Sequence, residues 1–163
     1  MLAAGAVPLR SRRLQRDALL DTTTASLRNR GCVLRIRSDG QTTILTFKGE
    51  TQPGTMKIRE EHETVVTNAE ALGHVLDGLG FHVSFRYEKY REEFSAPGVV
   101  IAIDETPVGT FVELEGDETA IIAMTQALGR SEADFIRQSY RALFVAGREA
   151  AGLTGPDMVF PAR

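Results

Sequence analysis

A chain of 163 residues, 42% hydrophobic and 25% charged, is long enough to bury one core without disulfide or metal staples. Its 19 basic and 22 acidic residues leave a net charge of −3, which disfavours a molecule-wide polyanion-binding surface but allows a local basic cavity. Trp is absent and aromatics are sparse, which excludes a stacking platform for single-stranded nucleic acid, and no apolar run reaches membrane-spanning length.

Cys32 is the sole cysteine and the three histidines stand in no H-x-x-x-H pattern, so an intramolecular disulfide is excluded by count and a zinc hydrolase site is not expected. The apolar stretch Leu2 to Val7 precedes Arg10, Arg12, Arg13 and Arg16. That order is the reverse of a secretory signal; an organelle transit peptide, for which an acid-free, Arg-rich start is compatible, is the minor alternative.

Further along, residues 33–38 (VLRIRS) alternate as a strand, Asp39-Gly40 signals a hairpin, and residues 41–48 return. A Gly/Pro loop leads to a third strand over 56–66. Asn68 caps a helix over 69–79, closed by Gly80. Residues 81–95 form a long strand, irregular near Glu92, and 99–104 and 109–115 form two more. Asp117 caps a helix to Leu128, and Ser131 with Asp134 opens a last helix to about Val145. The tail from Gly152 is punctuated by Gly and Pro and reads as frayed. Six or seven antiparallel strands with three helices make an α+β domain on a large curled sheet. No Gly-rich loop follows a strand, so neither a P-loop nor a Rossmann site is expected.

Charges recur at spacing two, which puts them on one face of a strand. Arg35 and Arg37 pair in this way, as do Lys89 and Arg91, and Glu113 and Glu115; Lys57, Arg59, Glu61 and Glu63 share a face of the third strand. Two arrangements satisfy this pattern. One is the wet face of an ordinary antiparallel sheet. The other is a barrel with the charged face inward, whose interior is costly unless a polyanion and a divalent metal fill it.

The runs LLDT (19–22), LRIR (34–37), LTFKG (45–49), KIREEHE (57–63), LGF (79–81), EKYREEF (88–94), IAIDETPVGTFVELEG (101–116) and SYRAL (139–143) together resemble the CYTH superfamily. That superfamily groups class IV adenylyl cyclases, thiamine triphosphatases and inorganic triphosphatases. The resemblance covers about residues 14–145 of a single domain over 1–163. It implies a curled antiparallel sheet closing into a tunnel-like barrel with helices outside. Arg35, Arg37, Lys48, Arg59, Lys89 and Arg91 would then grip a triphosphate. Glu113, Glu115 and Glu63 would hold Mg²⁺ or Mn²⁺, and Asp104, Lys89 and Glu61 would take part in catalysis. Tyr140 reads first as core packing.

The superfamily begins with an E-x-E-x-K strand and a helix, and this sequence shows no such signature. Residues 1–13 are therefore expected to be the remnant of that helix and its turn, rather than a targeting signal, and 146–163 a tail. The implied activity is metal-dependent hydrolysis of ATP, thiamine triphosphate or tripolyphosphate. Two alternatives accompany it: a class IV adenylyl cyclase, and a polyphosphate-binding module with impaired turnover. The resemblance further implies a cytoplasmic protein, compatible with assembly as a homodimer, with neither nucleic-acid nor membrane partners.

Overall fold

The computed structural model describes residues 5–54 and 58–161. Seven strands form one antiparallel sheet. They are β1 (Val7–Asp21), β2 (Val33–Asp39), β3 (Thr42–Lys48), β4 (Glu61–Val66), β5 (His82–Ala96), β6 (Val99–Thr106) and β7 (Gly109–Gly116), and their spatial order is β4-β3-β2-β1-β5-β6-β7. Four helices accompany the sheet: α1 (Ser26–Asn29), α2 (Ala69–Gly78), α3 (Glu118–Ala127) and α4 (Tyr140–Gly147). The α+β class with an antiparallel sheet stands as expected. Among the described residues, no ladder joins the outer strands β4 and β7.

The centre of the sheet is the largest departure from expectation. Residues 7–13, expected as a helix remnant, belong to β1, which pairs with β2 on one side and β5 on the other. The β1–β5 register shifts between Pro8 and Arg10, between Arg10 and Arg13, and between Leu19 and Leu20. Such bulges bend a strand and tighten its twist. The first two place the extra residue on β1, opposite the Glu92 region where irregularity was expected on β5.

The β2–β3 hairpin turns at Gly40-Gln41, with Gly40 at φ 63°, where glycine carries no Cβ penalty. Strand β4 is shorter than expected, and Lys57 lies outside the described residues. Before β4, Gly49 N–H still donates to Glu60 O and Gln52 N–H to Ile58 O, so pairing continues irregularly through the loop.

Both expected caps hold around α2: Asn68 accepts from Ala71 N–H, and Gly80 sits at φ 84°. The last helix is divided. Ser131 and Asp134 form the expected capping box, but on a single 3-10 turn, after which Phe135 is extended. Ser139 then caps α4 by accepting from Ala142 N–H. A second good cap eight residues after the first makes two short helices instead of one.

The two faces of the sheet are packed differently. Helix α3 covers the face that carries Val99 and Ile101, where Met124, Ile121 and Leu128 close a core with Ala6, Phe94 and Leu114. The helices were expected outside the curl, and α3 fits that. Helix α4 does not: its Phe144 and Tyr140 pack on Phe85 and Tyr87, which share a face with Lys89 and Arg91. Among the described residues, the tail is not frayed at Met158. Met158 N–H donates to Arg86 O and Glu88 N–H to Met158 O, so the tail pairs with the half of β5 that β6 leaves free. Met158 is 0% exposed. Its replacement by alanine is expected to cost about 2–5 kcal/mol in a urea titration, whereas Val159→Ala on the exposed side should cost less than about 1 kcal/mol.

Candidate functional site

Strand alternation brings the predicted charges onto one face, centred on Asp104. This carboxylate is 0% exposed. It accepts from Lys89 Nζ at 2.7 Å, from Arg91 Nε at 2.7 Å and Nη2 at 2.6 Å, and from the Tyr140 hydroxyl at 2.5 Å. The register explains the set, because Arg91 stands directly opposite Asp104 and Lys89 is two residues along the same face. Glu113 on β7 accepts from Arg91 Nη2 and lies 3.9 Å from Lys89 Nζ. Glu115 is 3.7 Å from Arg91 Nη1.

On the other side of the central pair, Arg37 donates through Nε to Asp17 Oδ1 at 2.8 Å and through Nη2 to Oδ2 at 3.3 Å. Arg35 Nε is 3.5 Å from Asp17 Oδ1, and Arg35 Nη2 donates to Thr46 Oγ1 at 3.0 Å and Glu63 Oε1 at 3.1 Å. Towards the edge, Lys48 donates to Glu61 at 2.6 Å and Thr46 to Glu63 at 2.7 Å. Arg59 is half-buried in the segment before β4.

Burial and charge pull against each other here. Burial alone would raise the Asp104 carboxyl, but Arg91 and Lys89 bring it down to about 2. Burial also opposes ionisation of Glu113, yet Lys89 and Arg91 hold it below the usual carboxylate range. The Lys89 ammonium is pushed below its ordinary value by burial and by the Arg91 charge, against Glu113 and Asp104. Burial, together with the charges of Glu113 and Asp104, raises the Tyr140 phenol well above its ordinary value, so it stays a donor. Burial and the Arg35 charge likewise lower Arg59.

Of the predicted residues, Asp104, Lys89, Arg91, Glu113 and Glu115 converge, and Arg35, Arg37, Lys48, Glu61 and Glu63 form a continuous second group. The proposed metal set is split: Glu63 stands on one outer strand, and Glu113 and Glu115 on the other. Among the described residues, no three carboxylate, imidazole or thiol groups gather as a metal site. Glu113 and Glu115 alone, 34% and 66% exposed on one strand face, fit Mg²⁺ or Mn²⁺ held by one or two carboxylates plus ligand oxygens and water.

Sequence reasoning missed the contribution of β1. Asp17, Gln15 and Arg13 line the same face, where Arg13 reaches Asp39 and Glu93 and Gln15 reaches Asp39. The signal was present as Arg13, Gln15 and Asp17 at spacing two. Tyr140, read as core packing, also stacks on Tyr87 and places its ring 4.9 Å from Lys89 Nζ.

The sequence pattern of the CYTH domain matches residues 8–140. The chain belongs to the CYTH family. A Methanocaldococcus jannaschii protein named as a candidate adenylate cyclase is 27% identical over 140 residues, which make up 79% of this chain and 80% of that protein. An X-ray structure of a candidate adenylate cyclase from Vibrio parahaemolyticus aligns with a TM-score of 0.71 at 23% identity, covering 86% of this chain and 84% of that one. A Hippeastrum adenylyl cyclase candidate, described as revealing a dominant triphosphatase activity, aligns with a TM-score of 0.64 at 17% identity, over 91% of this chain and 86% of that one. At such identities the two solved structures establish a shared fold. They place this CYTH domain among tunnel-type antiparallel sheets. Among the described residues of the domain, no helix is long and apolar enough to cross a membrane.

Proposed function

We propose that this CYTH domain is a divalent-metal-dependent enzyme that hydrolyses inorganic or organic triphosphates. The observation that carries the reading is the pair of buried cation sets, Arg35 with Arg37 and Lys89 with Arg91, on one continuous sheet face. Burying cations is costly unless each is paired. Here the innermost partners, Asp17 and Asp104, are fully buried, while the outer ones, Glu61, Glu63, Glu113 and Glu115, are partly open to solvent.

An entering triphosphate displaces the outer carboxylates and not the inner ones. Its oxygens take over the donors of Lys48 from Glu61, of Arg35 from Glu63 and of Arg91 from Glu113, as charge-assisted hydrogen bonds. Glu113, released from Arg91, and Glu115 are then available to hold Mg²⁺ or Mn²⁺. When bound, that ion offsets charge on the phosphoryl oxygens. Asp104 keeps Lys89 and Arg91 aimed at the diphosphate end of the chain, where charge builds as the bridging bond breaks, while Arg35 and Lys48 hold the terminal phosphoryl group near Glu61. Glu61, freed from Lys48, accepts a proton from the attacking water as its oxygen bonds to the terminal phosphorus. The bridging P–O bond breaks, and its electron pair leaves with the diphosphate. Preset charges of this kind supply most of the help that phosphoryl transfer needs. The same resemblance supports a cytoplasmic location and is compatible with assembly as a homodimer.

The name of the Methanocaldococcus jannaschii relative favours a second reading, in which a ribose 3′-hydroxyl attacks the α-phosphorus of ATP and pyrophosphate leaves. One incubation separates the readings: the protein with Mn²⁺ and either tripolyphosphate or ATP. Phosphate release from tripolyphosphate, or ADP and phosphate from ATP, supports hydrolysis. Cyclic AMP and pyrophosphate would move the assignment to cyclisation. No turnover with a tripolyphosphate-dependent rise in Tm would leave a binding module. Neither turnover nor a rise in Tm would overturn the polyphosphate reading.

A further inference from the structure

Asp17 repeats, on the other half of the face, the arrangement around Asp104. Each aspartate side chain is 0% exposed. Each stands directly opposite an arginine of the neighbouring antiparallel strand, Asp17 against Arg37 and Asp104 against Arg91. Each also meets a second cation two residues away, Arg35 or Lys89. Because β2, β1, β5 and β6 are consecutive in the sheet, charge alternates across it: cations on β2, Asp17 on β1, cations on β5, Asp104 on β6. The two cation pairs stand on strands two spacings apart and are also offset along them, because Arg37 is level with Tyr87, two residues short of Lys89 and four short of Arg91; their Cα atoms are thus separated by more than the roughly 10 Å of two strand spacings, with Asp17 on the strand between. Its other β-ladder partner is Tyr87, buried and uncharged.

From this we infer that Asp17 is a positioning residue that holds Arg35 and Arg37 apart from Lys89 and Arg91, and so selects a polyphosphate chain long enough to be gripped at both ends over a single phosphate. The inference rests on the polyphosphate reading of the site. Two physical roles for Asp17 make opposite predictions. If its charge merely neutralised the arginines, it would compete with phosphate, and removing it would tighten binding. If it positions them, removing it loosens binding of long chains and leaves short ones less affected. The Arg37 fork, bonded through Nε and Nη2 to both Asp17 oxygens, favours positioning, because a planar two-point pair fixes orientation as well as charge.

The test is metal-free calorimetry of inorganic tripolyphosphate and orthophosphate on wild type, Asp17→Asn and Asp17→Glu. The glutamate variant keeps the charge, and so decides the matter where the asparagine variant fails to fold. Positioning predicts that tripolyphosphate affinity falls at least about ten-fold in both variants, the loss of about one charge-assisted contact, while orthophosphate affinity falls less, so that chain-length selectivity shrinks. A merely structural role would lower the binding-competent fraction without moving that ratio. Wild type that binds tripolyphosphate, with variants that bind it equally or more tightly, would overturn the role of Asp17 alone. Wild type that ignores tripolyphosphate would overturn the polyphosphate reading and this role with it.

Discussion

Asp104→Asn is expected to lose about 3–5 kcal/mol of folding stability, the usual cost of removing one partner from a buried ionic cluster. Against a typical total of about 5–15 kcal/mol, that loss decides whether the domain stays folded at growth temperature. The substitution keeps the volume but leaves Lys89 and Arg91, 2% and 6% exposed, with Glu113 and, for Arg91, the more exposed Glu115 at 3.7 Å as their charged partners among the described residues. Lys89, already pushed down by burial, then has reason to lose its proton, so the variant should recover part of the loss as pH rises. Acid gives the complementary test. The Asp104 carboxyl is depressed from 3.8 to about 2, so its contribution is present above pH 3.8 and is lost as pH falls towards 2. A depression of this size corresponds to about 2 kcal/mol. Urea titrations of wild type from pH 6 to pH 2 should show that step, and Asp104→Asn should lack it. A loss under about 1 kcal/mol at neutral pH would mean that Glu113 and Glu115 suffice to neutralise both cations. Tyr140→Phe, which removes only the hydroxyl donor to Asp104, should cost about 1.5–3 kcal/mol by the same titration.

The part of this site that was legible in the sequence lies on strands that obey a strict period of two. Arg35 with Arg37, Lys89 with Arg91, and Glu113 with Glu115 each occupy one face of a regular strand between short turns, so spacing alone put them together. Strand β1 was illegible for two physical reasons. Its bulges break the period, and both of its faces are charged. Arg12 and Arg16 face outward to Glu105 and Glu88, while Arg13 faces inward to Asp39 and Glu93. A strand with arginines on both faces shows no amphipathic signal. It is stable here because carboxylates from three other strands, β2, β5 and β6, neutralise it across separations of 26 to 93 residues. The tail at Met158 was misjudged on similar grounds, whereas Tyr140 packs as expected and adds a hydrogen bond to Asp104. Each is placed by a long-range contact, α4 over the lower half of β5 and the tail along its free edge, and nothing local encodes either.

Glu115→Gln is expected to leave the fold intact while removing most of the metal-dependent activity. Glu115 is 66% exposed, and its one ion-pair contact, to Arg91, is 3.7 Å long; such surface pairs are worth about 0–1 kcal/mol, so Tm should barely move. If Glu115 holds the ion with Glu113, its neutral amide forfeits several kcal/mol of charge stabilisation on the phosphoryl oxygens, at least about a hundred-fold in rate at limiting metal. The loss should be partly recovered as Mn²⁺ is raised, because affinity is the first property to fall. Glu63→Gln provides the contrast that makes the result interpretable. Glu63 belongs to Arg35 and Thr46 at the far edge of the sheet, and its neutralisation should shift substrate KM without changing the metal titration. Equal metal dependence in wild type and Glu115→Gln would take Glu115 out of the site. A metal shift in Glu63→Gln would instead bring β4 and β7 together around one ion, as closure of the sheet into a complete tunnel requires.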